Sequence, residues 1–170
     1  MEKKKDLREY RIEDSILFNS KNENCVLSNM YPCKITIKGV EFYSSEQMFH
    51  YLLFEGFPKV QEEIMKCKGI NNGFEVKKIC KNYEELIKDM DKKEMYSCLY
   101  QSLKLKYMFC KDFQNAVDNS NKLNLVEYAP WRDTEFGTVY NKQKGVYEGV
   151  NVCGRLMMKV REEARNETSN

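Results

Sequence analysis

At Ser44 the apolar residues of this chain change from strict alternation to an all-round apolar run, and that switch constrains the fold more than any other feature. Residues 34–43, Lys-Ile-Thr-Ile-Lys-Gly-Val-Glu-Phe-Tyr, alternate apolar and polar about Gly39, the signature of a short β-hairpin. Ser44-Ser45-Glu46-Gln47-Met48-Phe49-His50-Tyr51-Leu52-Leu53-Phe54 follows directly. Ser44 with Gln47 three residues later is a capping-box pattern, so a helix starts there. Apolar residues on every side of it predict a buried helix.

The rest of the chain is dominated by helical spacing. Pro58 suits the first position of a helix that places Val60 and Ile64 on one face. Gly69 to Gly73 interrupts the pattern, and Phe74 to about Met90 reads as one or two helices jointed near Asn82. Tyr96, Leu99, Tyr100, Leu103 and Tyr107 predict a long helix over 94–110, with a shorter one over 112–117. Residues 123–128 form a candidate strand ending at the Pro130 turn, and Asn151 is placed to cap a last helix carrying Val152, Leu156 and Val160. The expected class is mainly α (α+β): a single compact helical domain with a short β-hairpin and a few short strands.

At 170 residues the chain suits one domain, since domains commonly hold roughly 100–200 residues. A chain of this size buries roughly 70% of its unfolded surface and needs no disulfide or metal to be stable. Residues 1–20 are expected to be a loosely ordered charged arm, 21–165 the folded domain and 166–170 a disordered tail. The opening Met1-Glu2-Lys3-Lys4-Lys5-Asp6 leads into no apolar segment, so no signal peptide is expected. No stretch reaches the roughly 20 apolar residues of a membrane span, and a cytoplasmic location is expected.

Residue types exclude several chemistries. The seven cysteines are odd in number and show no CxxC spacing, which supports neither a disulfide framework nor a zinc ribbon. His50 is the single histidine, so a multi-histidine metal centre is excluded, and any Ser-His or Cys-His machinery would have to use it. The net charge of +2 comes from interleaved Lys and Glu stretches without a basic stripe, so sequence-specific nucleic-acid binding is not expected.

Three segments carry the chemistry. The first is Leu27-Ser28-Asn29-Met30-Tyr31-Pro32 followed by the hairpin and Ser44-Ser45-Glu46. The second runs from Leu125 through Glu127, Pro130, Trp131 and Asp133 to Phe136-Gly137, and the third is Gly149-Val150-Asn151-Val152-Cys153-Gly154-Arg155-Leu156-Met157-Met158-Lys159-Val160-Arg161. Together, in this order, they resemble the NADAR (YbiA-like) family over about residues 25–165. The family outline is an LSNFYP-like stretch, an SSE at a helix start, an E-x-x-P run with a following D-x-x-WG, and a closing G-x-N-x-x-G-[RK]-x-L-M-x-V-R helix. The resemblance implies a mainly helical fold and cleavage of N-glycosidic bonds in ADP-ribose-like or riboflavin-pathway nucleotides.

Such cleavage passes through an oxocarbenium-like transition state, which needs a carboxylate to stabilise charge or activate water and an acid to help the base leave. By the resemblance Glu46 is the principal catalytic carboxylate, favoured as an anion in a first helical turn, and Asp133 orients water or a ribose diol. Asn29, Met30, Ser45, Gly137, Asn151, Gly154 and Arg155 are the implied substrate-binding positions, with Trp131 or Phe136 stacking on a base. His50, one turn beyond Glu46, and Glu127 are possible assisting groups. Two departures stand out: Phe136 occupies a position usually held by Trp, and Leu53 stands where the family commonly carries a Lys seven residues after the glutamate. Lys77, Lys78, Lys104 and Lys106 are the lysines that could replace it in space. No cofactor or metal is implied.

The expected function is therefore an N-glycosidase acting on the ribosyl C1–N bond of an ADP-ribose-like nucleotide, with ADP-ribosylated guanine in DNA or RNA as the leading substrate. The alternatives are a non-catalytic module that binds NAD or ADP-ribose, and a glycosidase of phosphoribosyl intermediates of riboflavin synthesis.

Overall fold

A computed structural model describes residues 6–130 and 133–168. Strands β3 (Ile35–Ile37) and β4 (Val40–Phe42) pair antiparallel, Ile37 opposite Val40. Lys38 and Gly39 both take positive φ, 48° and 82°, at the two-residue turn between them, which is what a tight hairpin requires. Helix α1 (Ser45–Leu53) opens as its sequence dictates. The Ser44 hydroxyl accepts from the Gln47 amide at 3.1 Å, and Gln47 Oε1 accepts from the Tyr43 amide at 2.8 Å.

Helix α2 (Pro58–Lys66) begins at its proline and buries Val60 and Ile64, and α3 (Asn72–Lys81) follows the glycine-rich break. A short 3₁₀ turn at Glu84–Ile87 leads to α4 (Lys92–Phe109) and α5 (Lys111–Asn119). Helix α4 is central: α1 and α6 (Val152–Thr168) pack on it, and α6 also lies on strand β5 (Asn124–Glu127). Phe54, Ile64, Leu99, Leu103, Phe113, Leu125 and Met157 are fully enclosed where these elements meet. Each such side chain contributes about 1.5–3 kcal/mol when removed from water.

Residues 8–18 depart from the loose arm expected over residues 1–20. Strand β1 (Arg8–Arg11) pairs antiparallel with β7 (Val146–Gly149), and β2 (Ser15–Phe18) runs parallel to β5. Tyr10 and Phe18 point inward while the charged neighbours of Tyr10 face water, so a segment that is highly charged in sequence is anchored by one side of each strand. Strand β6 (Val139–Asn141) completes a three-stranded sheet in the order β1-β7-β6, none of which the sequence pattern disclosed. At the other end, helix α6 continues through residues 166–168, where a tail was expected. No helix among the described residues is long and apolar enough to cross a membrane.

One buried cation ties the core to the Leu27–Met30 loop. Lys106 of α4 is fully enclosed, and its ammonium donates to the carbonyls of Val26 (3.0 Å) and Ser28 (2.6 Å) while lying 4.4 Å from the centre of the Phe113 ring. Burial lowers its pKa. Of the four lysines named as replacements for the family lysine, this one serves the scaffold.

Candidate active site

Glu46 lies in the first turn of α1 and is only 4% exposed. Its amide donates to the Asn29 carbonyl at 3.0 Å, which fixes the Leu27–Met30 loop against the helix start. Its carboxylate Oε1 meets His50 Nε2 at 3.1 Å and Lys77 Nζ at 3.2 Å. His50 is one turn along the same helix, whereas Lys77 comes from α3. Helix α3 can approach this closely because residue 73 is glycine: a Cβ there would run into Met30 Sδ and sit 3.2 Å from Glu46 Cβ. Lys77 lies one turn beyond that contact.

Burial is the largest influence on the Glu46 carboxyl and pushes its pKa up. The Lys77 charge and the His50 hydrogen bond together outweigh it, and the pKa falls from 4.5 to about 2. Lys77 is raised in turn by the Glu46 charge. The pair is ionised at neutral pH, and with Glu46 ionised the His50 contact requires the proton on Nε2. His50 Nδ1 is then buried without a hydrogen-bond partner.

Glu127, the last residue of β5, is the second carboxylate and is also 4% exposed. Its backbone is held on both sides: the amide donates to Asn151 Oδ1 at 3.1 Å, and the carbonyl accepts from the Thr138 amide (2.8 Å) and hydroxyl (2.7 Å). Burial pushes its pKa up, and contacts with Ser20 and Cys153 offset this only in part. Two carboxylates therefore face one space with their proton affinities driven apart, an arrangement that separates a base or charge stabiliser from an acid.

That space is a cavity of about 210 Å³. Glu46, His50, Phe49 and Lys77 form one side, Glu127, Asp133, Phe136 and Cys153 another, and Asn29, Leu99, Ser20 and Lys21 close it. Asp133 Oδ1 accepts from the amides of Glu135 and Phe136, both at 3.0 Å, so one of its oxygens shapes the turn that delivers Phe136. The Phe136 ring stands edge-on to Phe49 and Tyr96, with centroids 6.5 and 6.2 Å away. Tyr96 and Lys92 of α4 clamp Glu135 in the same turn. The Cys153 thiol is pushed far above its ordinary value by burial first and by Glu127 second, so it remains a neutral thiol and a poor nucleophile.

The expected site residues divide. Asn29, Glu46, His50, Glu127, Asp133 and Phe136 line the cavity together. Met30, Ser45, Gly137, Asn151, Gly154 and Arg155 are absent from its lining. Ser45 Oγ holds Asn29 through its carbonyl (3.3 Å) and side-chain oxygen (3.2 Å), and Met30 packs under Gly73. Asn151 takes a left-handed φ of 54°, and its fully buried amide bridges the Glu127 N–H and the Leu125 carbonyl, the latter at 2.9 Å, so it braces β5. Gly137 leaves room for Glu127, and a Cβ at Gly154 would collide with the Leu125 carbonyl oxygen. Arg155 faces Asp6 at 3.5 Å. Trp131 lies outside the described residues.

Sequence reasoning missed Ser20, Lys21, Phe49, Leu99 and Cys153 as lining residues. Phe49 was legible, one turn from Glu46. Ser20 and Lys21 sit at the edge of the segment read as an arm. Among the described residues no group of three or more His, Cys, Asp or Glu is arranged to hold a metal ion.

Fold and site together define a class: a mainly helical α+β domain whose central helix and short strands enclose a small cavity with two buried, oppositely perturbed carboxylates. A family model described as the NADAR domain matches residues 17–165. The chain belongs to the NADAR family. Its structure is similar to the NMR structure of the E. coli protein YbiA, with a TM-score of 0.65 and 19% sequence identity over 95% of this chain and 91% of that one. No curated protein matches the sequence. Family membership is compatible with an N-glycosidase activity and a nucleotide-related substrate.

Proposed function

We propose that this protein is an N-glycosidase that hydrolyses the ribosyl C1–N bond of an ADP-ribose-like nucleotide, removing ADP-ribose from modified guanine in nucleic acid. The observation that carries this reading is the opposed pair, Glu46 held ionised and Glu127 pushed toward its protonated form in one cavity. As the C1–N bond breaks, its electrons leave with the base nitrogen, and Glu127 delivers a proton there. Positive charge developing on the ribosyl ring is stabilised by the Glu46 carboxylate. Water then adds to C1 and gives its proton to Glu46, and exchange with solvent restores both groups. The products are a free 1-hydroxyl sugar and an N–H base. Asp133, with one oxygen committed to its turn, keeps the other for water or a ribose hydroxyl.

Lys77 supplies the cation that the family commonly carries where Leu53 stands. Leu53 is two turns beyond Glu46 and is buried in the core of this chain. The ammonium reaches the same carboxylate from α3 instead.

Glu46→Gln removes the charge and keeps the shape. The expected outcome is loss of turnover by at least about 10²-fold, with ADP-ribose binding and the folded far-UV spectrum retained. Parent-like turnover by Glu46→Gln would overturn the assignment. The substrate is tested by mass spectrometry of an oligonucleotide bearing ADP-ribosyl-guanine, which should yield the unmodified oligonucleotide and free ADP-ribose. The small cavity favours a second reading, a glycosidase of free phosphoribosyl nucleotides of riboflavin synthesis. An untouched oligonucleotide with turnover of such a nucleotide would select it.

A further inference from the structure

Beyond the wall formed by His50 and Lys77 lies a second, more open depression of about 420 Å³. Both residues line both spaces. Ile87 gives the depression an apolar wall above the enclosed Phe54 and Cys80, and Lys81 and Glu84 stand on its rim. The first cavity, at about 210 Å³, is below the roughly 300–1,000 Å³ that holds a drug-sized ligand. It suits one sugar ring, so the rest of a nucleotide substrate must lie elsewhere, and the adjoining depression shares two of its walls.

The chemistry of the depression is that of a ring-binding site. An apolar wall with a few polar groups at its edge suits a flat heteroaromatic ring. Lys81 offers N–H donors and Glu84 offers carboxylate acceptors. Although they are three residues apart, they form no ion pair with each other or with any other described residue, which leaves both open to a ligand. A purine edge carries ring-nitrogen or carbonyl acceptors next to N–H donors, complementary to such a pair.

We infer that this depression is a second subsite that takes a purine ring of the substrate, packed against Ile87 and read at its edge by Lys81 and Glu84. The inference rests on the glycosidase reading above. The ring is either the adenine of the ADP end or the guanine from which ADP-ribose is removed.

The test uses the full chain and two exposed-residue variants, Glu84→Ala and Lys81→Ala, with thermal unfolding confirming that both fold as the parent does. Calorimetric titration with ADP-ribose probes the adenine arm. The KM for an oligonucleotide bearing ADP-ribosyl-guanine probes the guanine arm. A tenfold or larger weakening of ADP-ribose binding in either variant places adenine in the depression. Unchanged ADP-ribose binding with a tenfold or larger rise in KM and an unaltered kcat places guanine there. Parent-like values in both assays overturn the subsite, as would a loss confined to thermal stability, which would mark Lys81 as a helix-end residue. A parent protein that cleaves no ribosyl substrate refutes the glycosidase reading instead, so the two failures are distinguishable.

Discussion

Replacing Lys77 with methionine keeps the stem along α3 and removes the charge 3.2 Å from Glu46 Oε1. In the parent, burial raises the Glu46 carboxyl, while Lys77 and His50 outweigh it and bring the pKa from 4.5 to about 2. At about 1.4 kcal/mol per pH unit, that depression corresponds to roughly 3 kcal/mol favouring the ionised native state. Lys77 is 45% exposed, and solvent screens its charge, so about 1–2 kcal/mol is its share. A depressed carboxyl stabilises the fold fully above its ordinary pKa and loses that contribution as pH falls toward the folded value. Lys77→Met is therefore expected to lose about 1–2 kcal/mol at pH 7 and less than half of that at about pH 2, measured by urea unfolding. With burial less opposed, the carboxyl rises, and the acid limb of the kcat/KM profile moves to higher pH with it. A loss as large at about pH 2 as at pH 7, with an unmoved acid limb, would show that Lys77 acts through packing and would refute the electrostatic argument.

Three further outcomes follow from the same geometry. Returning the cation to α1 in the double variant Leu53→Lys/Lys77→Met should recover at least tenfold of the turnover lost in Lys77→Met; no recovery would separate this site from the family arrangement. Glu127→Gln should lower turnover by about 10²-fold. Because the raised pKa of Glu127 means that its ionised form destabilises the native state above that pKa, the same change should raise the melting temperature at pH 8 and not at pH 4. Gly154→Ala should destabilise by about 3 kcal/mol, read by urea unfolding, because its Cβ meets the Leu125 carbonyl oxygen; parent-like stability would mean that α6 can move off β5.

The amino-acid sequence by itself determined the local events. Ser44 and Gln47 started α1, Lys38-Gly39 turned the hairpin, Pro58 opened α2, and the tyrosine and leucine spacing marked α4, because capping, turn geometry and helical periodicity act within a few residues. The family's short motifs also pointed to Glu46, Asn29 and Asp133, which the fold brings into one cavity. Tertiary structure decided the rest. The strands at residues 8–18 lie beside partners more than 100 residues away, and an edge strand with one inward tyrosine carries little pattern of its own. Asn151 and Gly154, motif residues that read as ligand contacts, are instead consumed by the close approach of α6 to β5. The choice of Lys77 over Lys78, Lys104 and Lys106 depended on Gly73 letting α3 press against α1. No sequence spacing encodes that approach: it is set by which helix surfaces fit together, and it fixes the charge of Glu46.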